Sequence, residues 1–388
     1  MNDRSLVSLF SGIGGFEVAA RSCGLTPALL CEVDNLAQAV LRNRFPTAEV
    51  APDVRRIDRL PRKTWLVTAG FPCQDLSSVG PKHGIRGSQS SLVDEVFRLL
   101  EHADPDWVVL ENVMFMLHLG KGAAMEHVVG GLEDLGFNWA YRLLNTSNFG
   151  IPQRRRRVYF VASRKHDAVS ALFDEHEPNR ADPERKCLSG SASYGFYWTE
   201  GTYATGITEN GVPPLKTGST IGIPSPPAII LSNGTVGTPT IGDAERLQGF
   251  RKGWTRAVAG VGRESFRWKL VGNAVSVPVA RHVIRGVLRA TGAEPAQHEN
   301  AEQFCMQMRK WPDAAFGRGG RRYAMPNNGM SGMKPHVPIQ EFLSENLKPL
   351  SAKATWGFLR RAQRGRLSFP DGFLDRLEAH AWQMERQL

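Results

Sequence analysis

The sequence contains few cysteines and no long apolar stretch, and these two absences exclude several classes of protein. Five of its 388 residues are cysteine, and no two of them form a Cys-x-x-Cys pair. Neither a zinc ribbon nor a disulfide framework is therefore indicated, which fits a reducing cytosol. No apolar run approaches membrane-spanning length, and the first residues lack the apolar core of a signal peptide. We expect a cytoplasmic chain that binds no membrane.

Two common nucleotide-binding fingerprints are also missing. The glycines at positions 12, 14 and 15 lack the G-x-G-x-x-G spacing, and no Lys-Ser or Lys-Thr pair follows them, so a P-loop is excluded. What is present is an apolar strand over residues 6–10, a glycine turn and a helix from Phe16. Glycines let a backbone turn sharply and approach a ligand, so this corner is typical of nucleotide-type binding. A purely structural glycine turn explains it equally well.

The charge balance is basic. The net charge of +10 favours a polyanionic partner, although charge alone does not separate nucleic acid from a merely basic surface. Residues 243–290 hold ten Lys or Arg against three Asp or Glu, which is consistent with phosphate binding. The length is sufficient for two or three domains.

Polar side chains follow the predicted strands. Glu32 follows a strand at 28–31 and is placed to accept hydrogen bonds from ribose hydroxyls. Asp53 follows the next short strand, and it either bonds an adenine amino group or caps a turn. Asn35 is predicted as the N-cap of a helix over residues 36–44.

The fourth predicted strand, residues 65–69, ends at Gly70-Phe71-Pro72-Cys73-Gln74. A lone cysteine is more often a small buried hydrophobe than a nucleophile, but an exposed, partly deprotonated thiol at a strand end is suited to attack. Glu111 follows the strand at 107–110 and offers a carboxyl group at the same kind of position. Residues 74–91 are rich in glycine and serine and predict a loop that closes on a substrate.

The composition changes after the strand predicted at 158–162, which four arginines precede. Residues 163–240 are rich in Gly, Ser, Thr and Pro and predict a separate, loop-rich β-type domain. A helix is predicted over residues 279–290. In the tail we predict one loop or linker and two helices, at residues 317–338, 339–347 and 373–388 respectively.

Together these segments resemble the cytosine-C5 DNA methyltransferases, in all the hallmark segments of that family and in its order. The resemblance covers about residues 5–290. It rests on Phe10–Gly15, Glu32, Asp53, Gly70–Gln74, Glu111–Val113, Gln153, Arg155, Arg157, Arg246–Phe250 and Gly272–Ala274. One departure is Pro52-Asp53-Val54, where the family usually has glycine-aspartate-isoleucine.

The resemblance implies a fold and a domain organisation. The fold would be α/β, a Rossmann-like S-adenosylmethionine methyltransferase fold whose mostly parallel, doubly wound sheet accompanies a smaller, loop-rich target-recognition domain. Residues 1–162 and 271–290 would form the catalytic domain, and residues 163–270 would read base edges in the major groove of DNA. Residues 291–388 would be a C-terminal extension of unassigned role.

The resemblance also implies a site that uses S-adenosylmethionine, releases S-adenosylhomocysteine and holds no metal. The implied catalytic residues are Cys73, Glu111, Arg155 and Arg157. The implied cofactor-binding residues are Phe10, Ser11, Gly12, Gly14, Gly15, Glu32, Asp53, Pro72 and Asn273. The implied DNA-binding residues are Gln74, Ser77, Arg86, Gln153 and Arg246.

The implied reaction is covalent. The Cys73 thiolate would add to C6 of a cytosine rotated out of duplex DNA. Glu111 would bond N3 and the amino group, and Arg157, with Arg155, would neutralise charge at O2. The sequence does not identify the base that removes the C5 proton, and a water is one alternative. We expect a monomeric bacterial or phage enzyme, bound to the nucleoid through DNA, with a cognate restriction endonuclease as a candidate partner.

Two other interpretations come from different classes. One is an RNA methyltransferase acting on transfer RNA, but that branch is expected to carry a Cys-Phe-Thr signature, which this sequence lacks. The other is a catalytically silent DNA-binding relative. Such proteins tend to lose the nucleophile or the glutamate, whereas Cys73 and Glu111 are both present. The sequence therefore favours a DNA methyltransferase.

Overall fold

The computed structural model divides the chain into two compact units. The residues that it describes are 4–72, 91–173, 192–218, 225–261, 264–294, 301–304, 311–326, 334 and 336–387. The first unit comprises residues 1–145, 156–181 and 275–331. The second comprises residues 146–155, 182–274 and 332–388. The predicted C-terminal extension is thus shared between the two units.

The described residues form the following strands and helices. The strands are β1 Ser5–Leu9, β2 Thr26–Cys31, β3 Glu49–Ala51, β4 Thr64–Ala69, β5 Trp107–Val113, β6 Asn138–Asn145, β7 Arg156–Ser163, β8 Tyr194–Phe196, β9 Thr208–Glu209, β10 Ala228–Ile230, β11 Val236–Thr238, β12 Glu302–Gln303, β13 Ala314–Arg318, β14 Arg321–Ala324 and β15 Lys348–Pro349. The helices are α1 Gly15–Ser22, α2 Asn35–Arg44, α3 Leu92–Glu101, α4 Ala123–Asp134, α5 Ala168–Leu172, α6 Ile241–Leu247, α7 Glu264–Asn273, α8 Val277–Ala290, α9 Ile339–Phe342, α10 Ala352–Arg364 and α11 Phe373–Glu385. Among the described residues, no helix has the length and apolar character that crossing a membrane requires.

The first unit is built around a ten-stranded sheet with the order β12-β14-β13-β6-β7-β5-β4-β1-β2-β3. The neighbours from β3 to β5 are parallel, and the remaining strands continue the sheet antiparallel. Strands β4 and β5 are almost wholly buried, as expected for central parallel strands covered on both faces. The chain runs from β1 to β2 and β3 on one side and continues through β4 and β5 on the other. This reversal creates a switch point between β1 and β4, where open α/β sheets bind ligands.

The N-cap of α2 differs from the prediction. Asp34 caps the helix, and its Oδ1 accepts the N–H groups of Leu36 at 2.9 Å and Ala37 at 3.2 Å. The prediction of Asn35 as the N-cap was wrong. Asp and Asn both suit an N-cap, and which of Asp34 and Asn35 caps the helix depends on where the strand before it ends. The carboxylate also complements the positive end of the helix dipole.

A β-hairpin replaces the first part of the loop predicted at 317–338. Strands β13 and β14 pair antiparallel, and β13 extends the large sheet beside β6. Gly319 and Gly320 connect them with φ angles of 59° and 73°. A two-residue turn of this kind needs φ > 0 at both positions, which two glycines supply without strain. The loop prediction was therefore wrong here, because it took this glycine pair as part of a linker; residues 327–333 lie outside the described part.

The second unit contains a five-stranded antiparallel sheet with the order β15-β11-β10-β8-β9. Helices α10 and α11 contribute to its apolar core, where the ring of Phe196 lies 4.9 Å from that of Phe358 and 5.2 Å from that of Phe373. The tail helix predicted at 339–347 was too long, since α9 ends at Phe342. The sequence analysis did not predict α10.

Candidate active site

The carboxyl ends of β1, β2, β4 and β5 carry most of the described residues that the sequence marked as functional. The glycine turn follows β1, Glu32 follows β2, Gly70 follows β4, and Glu111 lies near the end of β5. Because these strands are parallel neighbours, their carboxyl ends share one edge of the sheet. The first unit thus brings these groups to the edge at the switch point.

The glycine turn has a left-handed backbone at several positions. Phe10, Gly12 and Gly14 have φ angles of 57°, 56° and 92°. A Cβ at Gly12 would have no neighbour within 4 Å, so the positive φ, not packing, requires glycine there. Phe10 is not a glycine, and a left-handed conformation in such a residue is uncommon outside functional sites and tight turns.

The other two glycines of the turn are required by close packing. A Cβ at Gly14 would lie 2.5 Å from the Phe45 ring, and one at Gly15 would lie 2.6 Å from the backbone oxygen of Val275. The turn is therefore clamped against α2 and the start of α8 within the first unit. Its Gly12 edge remains open to a ligand.

Glu32 ties the turn to the end of β2. Its Oε2 accepts the N–H of Gly12 at 2.7 Å, and its Oε1 accepts the N–H of Asp34 at 2.9 Å. Burial raises the pKa of Glu32, and these backbone hydrogen bonds oppose that effect. The next residue, Val33, is 74% exposed, so an apolar side chain stands beside a partly buried carboxylate. Sequence analysis did not single out Val33.

Asp53 is a turn cap in this structure. Its Oδ1 accepts the N–H of Arg55 at 3.0 Å, at the start of a short 3-10 turn over Val54–Arg56. Of the two roles weighed for Asp53, capping is thus the one with a hydrogen bond in the described residues. The adenine contact stays a prediction.

Glu111 and Arg157 meet across β5 and β7. The two strands are antiparallel neighbours, and Nε of Arg157 lies 3.3 Å from Oε1 of Glu111. Both side chains are largely buried, with 16% of Arg157 and 11% of Glu111 exposed. A Cβ at Gly70 would lie 3.6 Å from Oε2 of Glu111. The carboxylate therefore faces the segment that leads toward Cys73.

The segment before Cys73 is held by β5. The side-chain amide of Asn112 donates to the backbone oxygen of Phe71 at 3.1 Å. Pro72 is exposed at the end of this segment. Four of the predicted site residues lie outside the described part of the chain: Cys73, Gln74, Ser77 and Arg86.

Gln153 and Arg155 are buried in the second unit, where they bond to backbone groups. The Gln153 amide donates to the Leu247 oxygen at 2.6 Å and accepts the Leu215 N–H at 3.1 Å. Arg155 donates to the oxygens of Gly272 at 3.3 Å and Ala274 at 2.8 Å. These contacts hold together segments that are distant in the sequence. A DNA contact of Gln153 and a catalytic role of Arg155 stay predictions.

Two further predicted residues also lie in the second unit. Arg246, about one-third exposed, donates to Oδ1 of Asp243 and to the backbone oxygen of Phe342, each at 2.7 Å. Asn273 is the last residue of α7 and is exposed. Neither placement tests the binding roles that the sequence suggested.

Glu17, in the first turn of α1, is a buried carboxyl that sequence analysis missed. It is fully buried, and neither of its carboxyl oxygens has a hydrogen-bond partner in the part of the chain that the structure describes. Burial, the largest effect, raises the pKa of Glu17 to about 7. Thr68 Oγ1 donates to Ser8 Oγ at 3.0 Å, so a cluster of hydroxyls lies beneath the glycine turn. No sequence signal marks Glu17, because an acidic residue in a first helical turn is ordinary.

The known proteins that this chain resembles are methyltransferases. Residues 5–205 match the family model described as C-5 cytosine-specific DNA methylase. The chain is 43% identical over 384 residues to Type II methyltransferase M2.BsuMI of Bacillus subtilis (strain 168), covering 96% of this chain and 97% of that protein. It is 30% identical over 158 residues to Type II methyltransferase M.HhaI of Haemophilus parahaemolyticus, covering 41% and 48% of the two chains.

Solved structures agree on the fold. The S. pombe Dnmt2 methyltransferase superposes with a TM-score of 0.54 at 18% identity, covering 75% of this chain and all of that chain. A mutant of Spodoptera frugiperda DNMT2 gives a TM-score of 0.52 at 15% identity, covering 74% of this chain and 100% of that chain. At such low identity the likeness bears on the fold alone. It confirms the α/β, Rossmann-like methyltransferase fold predicted from the sequence.

Proposed function

This chain belongs to the C-5 cytosine-specific DNA methylases, and we propose that it methylates C5 of a cytosine within a specific duplex sequence through a covalent Cys73 adduct. The observation that carries the proposal is the Arg157–Glu111 pair beside Gly70. It places a carboxyl group and a guanidinium next to the segment that leads to Cys73, the proposed nucleophile. Since M2.BsuMI is named a Type II methyltransferase, the proposed role is modification paired with a restriction endonuclease.

The described residues fit S-adenosylmethionine, whose sulfonium supplies an electrophilic methyl group when bound. The space beside the Gly12 Cα is open, since no atom lies within 4 Å of the position that a Cβ would take. A ligand can therefore approach the backbone there. Each Glu32 oxygen accepts one backbone N–H and retains lone pairs that can accept ribose hydroxyls. The exposed Val33 side chain offers an apolar face for the adenine ring. Among the described residues, no cluster of three or more His, Cys, Asp or Glu is arranged for a metal ion.

Glu111 and Arg157 would act on the cytosine ring. C5 of cytosine is a poor nucleophile until a thiolate adds to C6 and makes C5 electron-rich. In the proposed reaction the Cys73 sulfur forms the bond to C6 while Glu111 supports protonation at N3. Arg157 neutralises charge at O2 and balances the buried carboxylate. Loss of the C5 proton to a base then expels the thiolate, after the methyl group has reached C5.

Gln153 and Arg155 would support the second unit. Their hydrogen bonds fix the backbone at Leu247 and at Gly272–Ala274. We propose that Arg155 positions this segment and that the exposed Asn273 within it contributes to ligand binding. A monomeric state and association with the nucleoid through DNA are part of the same proposal.

Methyl transfer to defined duplexes tests this function. Purified enzyme with labelled S-adenosylmethionine should modify cytosine in DNA and leave transfer RNA unlabelled, and bisulfite sequencing should give the sequence context.

Cys73→Ala should abolish methyl transfer and preserve cofactor binding. DNA with 5-fluorocytosine at the target should trap a covalent adduct, because fluorine does not leave as a proton does. Cytosine methylation by the Cys73→Ala enzyme, or the absence of an adduct with active enzyme, contradicts the mechanism.

A further inference from the structure

A long segment of the C-terminal tail is free of acidic residues. Residues 346–370 contain no Asp or Glu and six basic side chains, at positions 348, 353, 360, 361, 364 and 366. This segment therefore carries a charge of +6, a large part of the net charge of +10 of the whole chain. Helix α10 forms the centre of this segment, within the second unit.

Three of these charges lie on one side of α10. Lys353, Arg360 and Arg364 are exposed, and their spacing of seven and four residues places them on a single helical face. Arg366 is exposed just beyond the end of the helix, and we call these four residues the basic face. The opposite side of α10 is buried in the apolar core. In the described part of the chain, no acidic side chain forms an ion pair with the basic face.

Arg361, by contrast, is used structurally. Its guanidinium donates to the backbone oxygens of Glu200 at 2.9 Å and Trp198 at 2.7 Å. It thereby fastens α10 to the chain that follows β8. The basic face consists of charges that the fold of the second unit does not use in this way.

A glycine lies in the middle of the basic face. Gly357 is four residues after Lys353 and three before Arg360, so it shares their side of the helix. Glycine inside a helix costs about 1 kcal/mol relative to alanine. A Cβ here would be 3.4 Å from Arg361 Nη1, with no other contact within 4 Å, so packing does not demand glycine. Glycine therefore leaves this face without a side chain between Lys353 and Arg360.

An exposed aromatic side chain lies beside the carboxyl end of α10. Tyr203 is 92% exposed. The residues just before it pack on the helix end, since a Cβ at Gly365 would lie 2.7 Å from the backbone oxygen of Thr202. Unpaired basic side chains next to an exposed aromatic residue are typical of a nucleic-acid surface. Tyr203 also belongs to the segment for which the sequence predicts target recognition.

We propose that the basic face, with Tyr203 at one end, binds the phosphate backbone of duplex DNA that flanks the recognition sequence. The proposal rests on the proposed function, because duplex DNA is the polyanion that such an enzyme must hold. Phosphate contacts carry no sequence information, so this surface adds affinity and fixes the register of the enzyme on DNA. It gives the C-terminal tail a role in substrate binding.

Salt dependence of DNA binding tests the proposal. In the full-length enzyme with S-adenosylhomocysteine, the triple variant Lys353→Gln, Arg360→Gln, Arg364→Gln is compared with wild type. Three lost phosphate contacts should reduce the slope of log K against log salt by about 2 to 3, since each contact contributes about 0.9. Affinity should fall at least about tenfold at about 150 mM salt on cognate and scrambled duplexes alike. The kcat at saturating DNA should not change.

A matched control removes the same charge elsewhere. Arg59, Arg62 and Lys63 are exposed and precede β4, so they lie toward the amino end of that strand, opposite the candidate active site. Changing all three to Gln should alter the slope by less than about 1. An unchanged slope in the triple variant, or a change equal to the control's, would overturn the proposal. So would a loss of affinity for RNA duplex with none for DNA.

Two further measurements test the contribution of Tyr203 and separate this proposal from the proposed methyltransferase function. Tyr203→Ala should weaken binding without changing the salt slope, because the side chain is uncharged; a thermal midpoint equal to wild type shows that each variant folds. Wild-type methyl transfer is measured first. If the wild-type enzyme does not methylate DNA while the triple variant still binds DNA more weakly than wild type, the proposed function is contradicted. The DNA-binding role of the basic face is then supported independently.

Discussion

Nε of Arg157 lies 3.3 Å from Oε1 of Glu111, across the neighbouring strands β5 and β7. The pair is largely buried, and removal of either partner leaves the other without its counter-charge. Glu111 lies beside Gly70, in the segment that leads to Cys73, the proposed nucleophile. Two residues 46 positions apart in the sequence thus form one chemical unit.

The two members of this pair should be separable by kinetics. Glu111→Gln should lower kcat by about 10²- to 10⁴-fold, the usual range for a lost acid–base group, while leaving cofactor affinity unchanged. Arg157→Ala should lower kcat and also destabilise the fold by about 3 kcal/mol, because the buried carboxylate loses its partner. Single-turnover methylation and urea unfolding measure the two effects. Full activity of Glu111→Gln would remove this residue from the mechanism.

Cofactor affinity should depend more on Glu32 than on Asp53. Glu32→Ala removes acceptors for the Gly12 and Asp34 amides as well as the proposed ribose contact. The Kd for S-adenosylhomocysteine should rise about 10- to 100-fold, since hydrogen bonds to a charged group contribute about 1.5 to 3 kcal/mol. Asp53→Ala should have a smaller effect, because Asp53 caps a turn. Calorimetric titration distinguishes the two, and an equal loss in both variants would contradict this ranking.

The stability of the enzyme should depend on pH through Glu17. Burial raises the pKa of Glu17 from 4.5 to about 7, so the folded state holds its proton more tightly than the unfolded chain. Below pH 4.5 the carboxyl is neutral in both states, and its contribution to stability is fully present. Between pH 4.5 and about 7 only the unfolded chain ionises, so the free energy of unfolding falls, by on the order of 3 kcal/mol.

The variant Glu17→Gln removes this titration. Urea unfolding at pH values from about 5 to about 8 should show the variant gaining stability relative to wild type as the pH rises to about 7, and holding a constant difference above it. Parallel stability curves for the two proteins would show that Glu17 does not titrate in this range.

Two glycines should respond in opposite ways to the same substitution. A Cβ at Gly15 would lie 2.6 Å from the backbone oxygen of Val275, so Gly15→Ala should destabilise the protein by about 1 to 3 kcal/mol and weaken cofactor binding. A Cβ at Gly130, in α4, would have no neighbour within 4 Å. Gly130→Ala should therefore stabilise by about 0.4 to 1 kcal/mol. Thermal unfolding measures both, and a neutral Gly15→Ala would contradict the close packing of the turn.

The sequence by itself determined the parallel part of the sheet and the groups at its edge. Apolar runs that stop at a polar residue predict buried strands, and parallel strands end on the same side. Glu32, Gly70 and Glu111 could therefore be assigned to one edge before any distance was known. The motif order then indicated the family, because each motif has a fixed place in the βα series.

Only the tertiary structure decided which side chains act together. Arg155 and Arg157 are two residues apart in one motif, yet Arg155 bonds to backbone oxygens at Gly272 and Ala274, while Arg157 meets Glu111. The burial of Glu17, whose sequence position suits an exposed helix start, was equally unpredictable. The basic face could be recognised only after α10 was found and its apolar side was seen in the core. Such pairings depend on contacts between distant segments, and local residue patterns do not encode them.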